Sequence, residues 1–98
     1  MAFTVIAKIK AKEGREAQVE AACRKAVENA VGETGTLSYV FHRSLDDPTV
    51  FVAYEVYQDH AAFDAHVSSM HFAELRKLLG PNIEGGIQAD MLEELARK

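Results

Sequence analysis

The sequence predicts a single α+β domain whose strands and helices follow one another as β-α-β-β-α-β. Three observations carry that prediction: an alternating apolar run at the N-terminus, two apolar stripes at helical spacing, and between them a pair of β-rich runs joined by a tight turn. Ninety-eight residues with 48% hydrophobic content suffice for one core and hardly for two, so the chain is assigned as one domain over residues 1–98. A chain of this size buries only about 60 to 65% of its unfolded surface on folding, so pairing with a second copy is the expected way to gain further burial.

From Phe3 to Lys12, Phe3, Val5, Ala7 and Ile9 alternate with Thr4, Ile6, Lys8 and Lys10, a period-two strand that Glu13-Gly14 closes. From Arg15 to about Val31, the residues Val19, Ala22, Cys23, Ala26, Val27 and Ala30 recur at steps of three and four, which makes one amphipathic helix ended by Gly32. Thr36 to Arg43 alternates again and is rich in β-formers. Asp46-Asp47-Pro48 then supplies a turn into a strand from Thr49 to Tyr57, so these two strands form an antiparallel hairpin.

Asp59 suits the N-cap of a second helix whose inward stripe is Ala62, Phe63, His66, Val67 and Met70. After a break near Ser69 the stripe continues through Phe72, Leu75, Leu78 and Leu79, and Gly80-Pro81 stops it. The last segment is ambiguous. Asp90 to Ala96 has helical propensity, while Ile87, Ala89, Met91, Glu93 and Leu95 fit an alternating face. Topology argues for a strand, because one more strand completes a ferredoxin-like fold.

Eleven basic against fifteen acidic residues give a formal charge of −4 with no massed basic face, which argues against nucleic acid as a partner. No apolar run approaches the roughly 20 residues that cross a bilayer, and no basic region precedes the first apolar residues, so a cytoplasmic protein without membrane contact is expected. Cys23 is the single cysteine and lies on the apolar helix stripe, where a small buried hydrophobe is the expected role.

The chemistry concentrates between Tyr54 and Phe72. Glu55 interrupts the apolar run Val50 to Tyr54, and burying a carboxylate there calls for a partner or a task. His66 lies on the apolar stripe between Phe63 and Met70, where an imidazole must find partners in the interior or border a cavity. A carboxylate at the end of the adjoining strand would orient that imidazole and raise its basicity, as a general base requires, so His66 and Glu55 are the candidate catalytic pair. Tyr39 and Tyr54 would line a flat pocket and hydrogen-bond a phenol or carbonyl oxygen. Strand parity, however, places Glu55 with Phe51, Ala53 and Tyr57, opposite to Tyr54, so both line one pocket only across a bulge.

No metal site is expected. His66 and His71 are five apart, which on a continuous helix turns the two rings to different faces, and no histidine pair has the spacing of established zinc motifs. Gly85-Gly86 lacks the strand-to-helix context of a phosphate loop, so a nucleotide or flavin is not expected either.

The sequence resembles the antibiotic biosynthesis monooxygenase superfamily across about residues 3 to 95. The resemblance rests on Val5 to Ile9 with Gly14, Glu33-Thr34-Gly35 followed by Tyr39, Tyr54 to Tyr57, and Ala62 to His66 with Ser69-Met70-His71-Phe72. It implies a ferredoxin-like protomer that pairs its sheet with that of a second copy, as a homodimer built as a dimeric α+β barrel. The implied activity is that of a monooxygenase needing no cofactor, which oxidises a quinol or polyphenol with molecular oxygen. Tyr39, Glu55, His66 and His71 match positions prominent in the family. Many relatives carry tryptophan at the position of Tyr57. Haem-degrading relatives have an asparagine, a tryptophan and a histidine where this chain has Ala7, His66 and Arg76, which disfavours that activity. The implied roles are His66 as base or oxyanion partner, Glu55 orienting it, Tyr39 and Tyr54 positioning the substrate ring, His71 at the pocket, and Phe41 and Phe63 as apolar walls. Two alternatives stand beside this reading: an isomerase that shuttles a proton on a small carbonyl metabolite, and a non-catalytic ligand-binding or stress-response dimer.

Overall fold

The computed structural model describes residues 2–98. Its elements are β1 (Phe3–Ala11), α1 (Glu16–Ala30), β2 (Thr36–Arg43), β3 (Val50–Tyr57), α2 (His60–Val67), α3 (Met70–Leu79) and β4 (Ile83–Leu92), with a short 3₁₀ turn at Gly80–Asn82. The four strands form one antiparallel sheet in the order β2-β3-β1-β4, the ferredoxin-like arrangement.

Period-two alternation decides which side of the sheet meets the helices. The register sets Val5 opposite Glu55, Ile9 opposite Phe51, Tyr39 opposite Glu55 and Phe41 opposite Ala53. Ile9 and Phe51 then pack with Val19, Cys23 and Ala26 of α1 and with Leu75 and Leu79 of α3 to form the core. The alternate residues Ile6, Val52, Tyr54 and Val56, with Val40 on the edge strand, lie on the other face and outside that core.

The second helical region is two helices, because each of two side chains caps a separate start. Asp59 accepts from the Ala62 amide at 2.8 Å, and Ser69 accepts from the Phe72 amide at 3.2 Å. The interruption re-phases the apolar stripe expected from the sequence. Met70, expected to point inward, opens α3 with 90% of its surface exposed, and Leu78 is 45% exposed, while Leu75 and Leu79 are buried.

The final strand begins earlier than the alternation of Ile87 to Leu95 implies. Ile83 pairs with Ala11, and Glu84 with Lys10, ahead of a shift that leaves Gly85 and Gly86 as a bulge opposite β1. Both glycines have φ near +70°, a conformation that side chains on these residues would strain. Residues 93–98 have no regular structure, so the helical propensity of that stretch goes unused.

Candidate active site

The centre of the site is set by a carboxylate that the sequence reading did not single out as catalytic. α1 ends at Ala30, and Glu33 sits in the turn that follows, its amide bonded to the Ala30 carbonyl at 2.9 Å and its own carbonyl accepting from Thr36 at 3.2 Å. Gly35 lets this turn lie against α2: a Cβ there would come within 2.5 Å of the Ala62 Cβ. The Gln58 amide then ties the turn to the end of β3 through the Gly35 carbonyl at 2.9 Å.

Three donors converge on the Glu33 carboxylate. Thr36 Oγ1 donates to Oε1 at 2.7 Å, His66 Nδ1 lies 2.8 Å from Oε1, and His71 Nε2 bonds to Oε2. Burial pushes the Glu33 proton affinity up, but the bonds from Thr36, His66 and His71 together outweigh it, so the carboxyl titrates below its ordinary range. An ionised carboxylate only accepts, which requires a proton on His66 Nδ1 and on His71 Nε2. In its neutral form His66 therefore has its lone pair on Nε2. That nitrogen is buried and, among the described residues, makes no hydrogen bond.

The break between α2 and α3 makes this convergence possible. Had the helix been continuous, His66 and His71 would face different ways, as expected from their spacing; with a new helix starting at Met70, both rings reach the same carboxylate. Ser69 fixes the junction by donating to the His66 carbonyl at 2.7 Å while capping α3.

Aromatic edges surround the His66 ring. Tyr39, Phe72 and Tyr57 approach it with centroids at 5.0, 5.2 and 5.5 Å. Tyr39 and Phe72, together with Phe41, Glu55 and Phe63, bound a cavity of about 90 Å³ between sheet and helices. Tyr39 and Phe41 also form one wall of an open groove of about 680 Å³ between α1 and β2.

Glu55 occupies this cavity wall but does not orient His66; that position belongs to Glu33. Glu55 instead accepts from the Tyr57 hydroxyl at 2.6 Å. Burial raises the Glu55 proton affinity, and the Tyr57 bond offsets this only in part. Burial and the Glu55 carboxylate together push the Tyr57 hydroxyl up, and burial does the same to Tyr39, so both phenols stay protonated. Phe41 packs edge-on against Tyr39 at 5.4 Å, and Phe63 against Tyr57 at 5.3 Å.

Tyr54 lies on the opposite face of the sheet with Val52 and Val56, as strand parity requires, so it does not line this cavity. Cys23 is buried in the core with its thiol pushed up to about 12 by burial, in keeping with a packing role. Tyr57 and Phe72 are the neighbours of His66 that sequence reasoning did not assign. Parity with Glu55 pointed toward Tyr57, whereas Phe72, six residues past His66 and across the helix break, was visible only as part of the apolar stripe.

The site is thus a carboxylate-held imidazole ringed by Tyr39, Tyr57 and Phe72, of which Tyr39 and Phe72 themselves border the internal cavity of a ferredoxin-like α+β domain. The chain belongs to the antibiotic biosynthesis monooxygenase family, whose sequence pattern matches residues 2–78. Among solved structures it is similar to PA3566 from Pseudomonas aeruginosa, at 28% identity and a TM-score of 0.89 over 97% of this chain and 95% of that one. A protein described as an antibiotic biosynthesis monooxygenase is 27% identical with a TM-score of 0.89, over 98% of this chain and 100% of its own. Rv0793 from Mycobacterium tuberculosis shares the fold, with 23% identity and a TM-score of 0.91 over 99% and 98% of the two chains. No curated protein matches the sequence. No helix among the described residues is long and apolar enough to cross a membrane.

Proposed function

We propose that the protein is a monooxygenase that needs no cofactor and oxidises a small electron-rich phenol, a quinol or polyphenol, with molecular oxygen. The observation that carries this reading is the buried His66 Nε2, which makes no hydrogen bond among the described residues while its ring is held by Glu33. Such a nitrogen is a general base awaiting a proton.

Removing a phenolic proton produces an electron-rich anion that can pass an electron to oxygen, so the protein's tasks are to bind, deprotonate and exclude water. For a quinol the balance is one quinol and one O₂ giving one hydroxyquinone and one water. The substrate supplies all four electrons; one oxygen atom forms a new carbon–oxygen bond and the other leaves as water. His66 Nε2 takes the phenolic proton and returns it as the O–O bond breaks. Glu33 stabilises the imidazolium in between, as the carboxylate of a nucleophile–histidine–carboxylate triad does.

The cavity is smaller than the roughly 150 Å³ that accepts a benzene ring. A substrate ring therefore enters by displacing Tyr39 and Phe41, the wall shared with the open groove. Glu55, its proton affinity raised by burial, lies in the cavity wall, where it would hydrogen-bond a second substrate oxygen. The apolar outer face of the sheet, with Ile6, Val52, Tyr54 and Val56, is the surface on which a second copy would pair.

Oxygen uptake by metal-free protein against a panel of hydroquinones and polyphenols tests the reading, with His66→Ala as control. Uptake that requires His66, and one labelled oxygen atom in the product, is expected. Solvent-proton exchange into a carbonyl substrate without uptake would replace it by an isomerase, and binding without either by a ligand carrier.

A further inference from the structure

His66, His71 and Glu33 belong to three different segments, yet one ligand atom from each, an imidazole nitrogen or a carboxylate oxygen, lies within 4.8 Å of the other two. Two imidazoles and one carboxylate suit zinc and its neighbours in the first transition row, and suit calcium or magnesium poorly. In a tetrahedral zinc site with bonds of about 2.0 to 2.1 Å, ligand atoms stand about 3.3 to 3.4 Å apart. The 2.8 Å between His66 Nδ1 and Glu33 Oε1 is thus within side-chain adjustment of that arrangement.

The surroundings have the other parts of a cation site. Thr36 holds the carboxylate by donating to Oε1, the oxygen that also faces His66, as outer-shell donors do for metal ligands. His71 is 29% exposed, which leaves the cluster one side toward solvent. The ring atoms of His66 and His71 that face Glu33 each carry a proton in the metal-free protein, and each ring has a second nitrogen able to take it.

We propose that Glu33, His66 and His71 form a binding site for a zinc-like divalent cation, and that cation binding and proton abstraction by His66 exclude one another. Coordination at His66 Nδ1 moves that ring's proton to Nε2. Coordination at His71 Nε2 moves the second proton to Nδ1. No proton leaves either neutral ring, and the site gains two positive charges. The loaded protein then has no lone pair at Nε2, the atom that abstracts the substrate proton. The binding stands independently of the monooxygenase reading; its effect on turnover rests on it.

The test uses the full chain, stripped with a chelator and titrated with Zn²⁺, and with Co²⁺ as a coloured substitute. One saturable equivalent is expected, with visible Co²⁺ bands of a low-coordinate site. Histidine ¹⁵N–¹H spectra are expected to show the His66 proton passing from Nδ1 to Nε2 and the His71 proton passing in the opposite sense. Oxygen uptake should fall in proportion to occupancy and return on chelation. His71→Ala should weaken binding by at least about tenfold, the smallest loss that even outer-shell changes cause at such sites.

Unchanged tautomers at saturating Zn²⁺, or an affinity indifferent to His71→Ala, would overturn the site. The tautomer signal comes from the unsubstituted protein, so a poorly folding variant does not remove the test. Zinc binding with the tautomer exchange but undiminished oxygen uptake would uphold the site and remove His66 as the base. A tautomer exchange in a protein that consumes no oxygen in either form would likewise uphold the site while overturning the monooxygenase reading.

Discussion

Glu33 and Glu55 both neighbour the same imidazole, that of His66, and their proton affinities are displaced in opposite directions. Burial acts on each. At Glu33 three donors overcome it and keep the carboxylate charged, whereas at Glu55 the single bond from Tyr57 does not. Two carboxyls beside one imidazole are thereby made unequal, Glu33 the more readily ionised and Glu55 the more readily protonated.

Replacing Glu33 by Gln keeps the shape of the side chain but offers an amide, and His66 is then free to present either nitrogen. Turnover should fall by about a hundredfold or more, the usual contribution of a positioned base. The fall should lie in kcat rather than KM. Steady-state kinetics on an accepted quinol decide it; an unchanged kcat would remove Glu33 from the mechanism.

Thr36→Val removes one of the three donors that hold Glu33 ionised. The depressed proton affinity of Glu33 contributes stability above its ordinary value of 4.5, and that contribution is lost as pH falls through the folded value. With Thr36 gone the folded value rises, so acid unfolding should begin at higher pH. The loss at neutral pH should be about 1 kcal/mol. Denaturant melts across pH 3 to 7, spanning the carboxylate range, check both statements.

Glu55 has the opposite linkage. A raised carboxyl contributes its stability below the unfolded value, near 4.5, and loses it as pH rises through the folded value. The stability of Glu55→Gln relative to the parent should accordingly increase as pH rises above 4.5, the ordinary value from which burial raises Glu55. A difference that is flat in pH would show that Glu55 titrates normally.

At Gly35 the constraint is space. A methyl group there meets Ala62, so Gly35→Ala should push the Glu33 turn off α2, destabilising the fold by about 1 to 3 kcal/mol as overpacking does. Adding Ala62→Gly should recover part of the loss, a non-additivity that a double-mutant cycle measures.

Ser69→Ala loses the cap of α3 and the bond to the His66 carbonyl. About 1 kcal/mol of stability should go with the cap. Turnover should fall further than an equally destabilising change elsewhere, because the junction sets where both histidines point.

The fold was legible because its signals are local. Asp59 announces a cap, Thr36 to Arg43 alternates, and the β-α-β-β-α order calls for one more strand. Residues whose surroundings depend on register misled more. Met70 fits the apolar stripe in sequence, but the cap at Ser69 turns it to solvent. His66 stood out as a polar residue on an apolar face, yet its partner did not: Glu55 was the nearer carboxylate along the chain, and Glu33 lies in a turn with no apolar pattern around it. The Glu33-Thr34-Gly35 block was visible only as part of a family likeness. What joins it to His66 is the docking of that turn on α2, which no periodicity encodes.

The separation of Glu33 from its two partners, by 33 and 38 residues, has a consequence for how the protein assembles. Closing loops of that size is entropically unfavourable until the sheet and helices are already docked. Helix content can therefore persist in a chain loosened by mild denaturant near neutral pH while the imidazole of His66 is released to choose its own tautomer. That one proton's position reports native topology, and it should disappear before circular dichroism registers any loss.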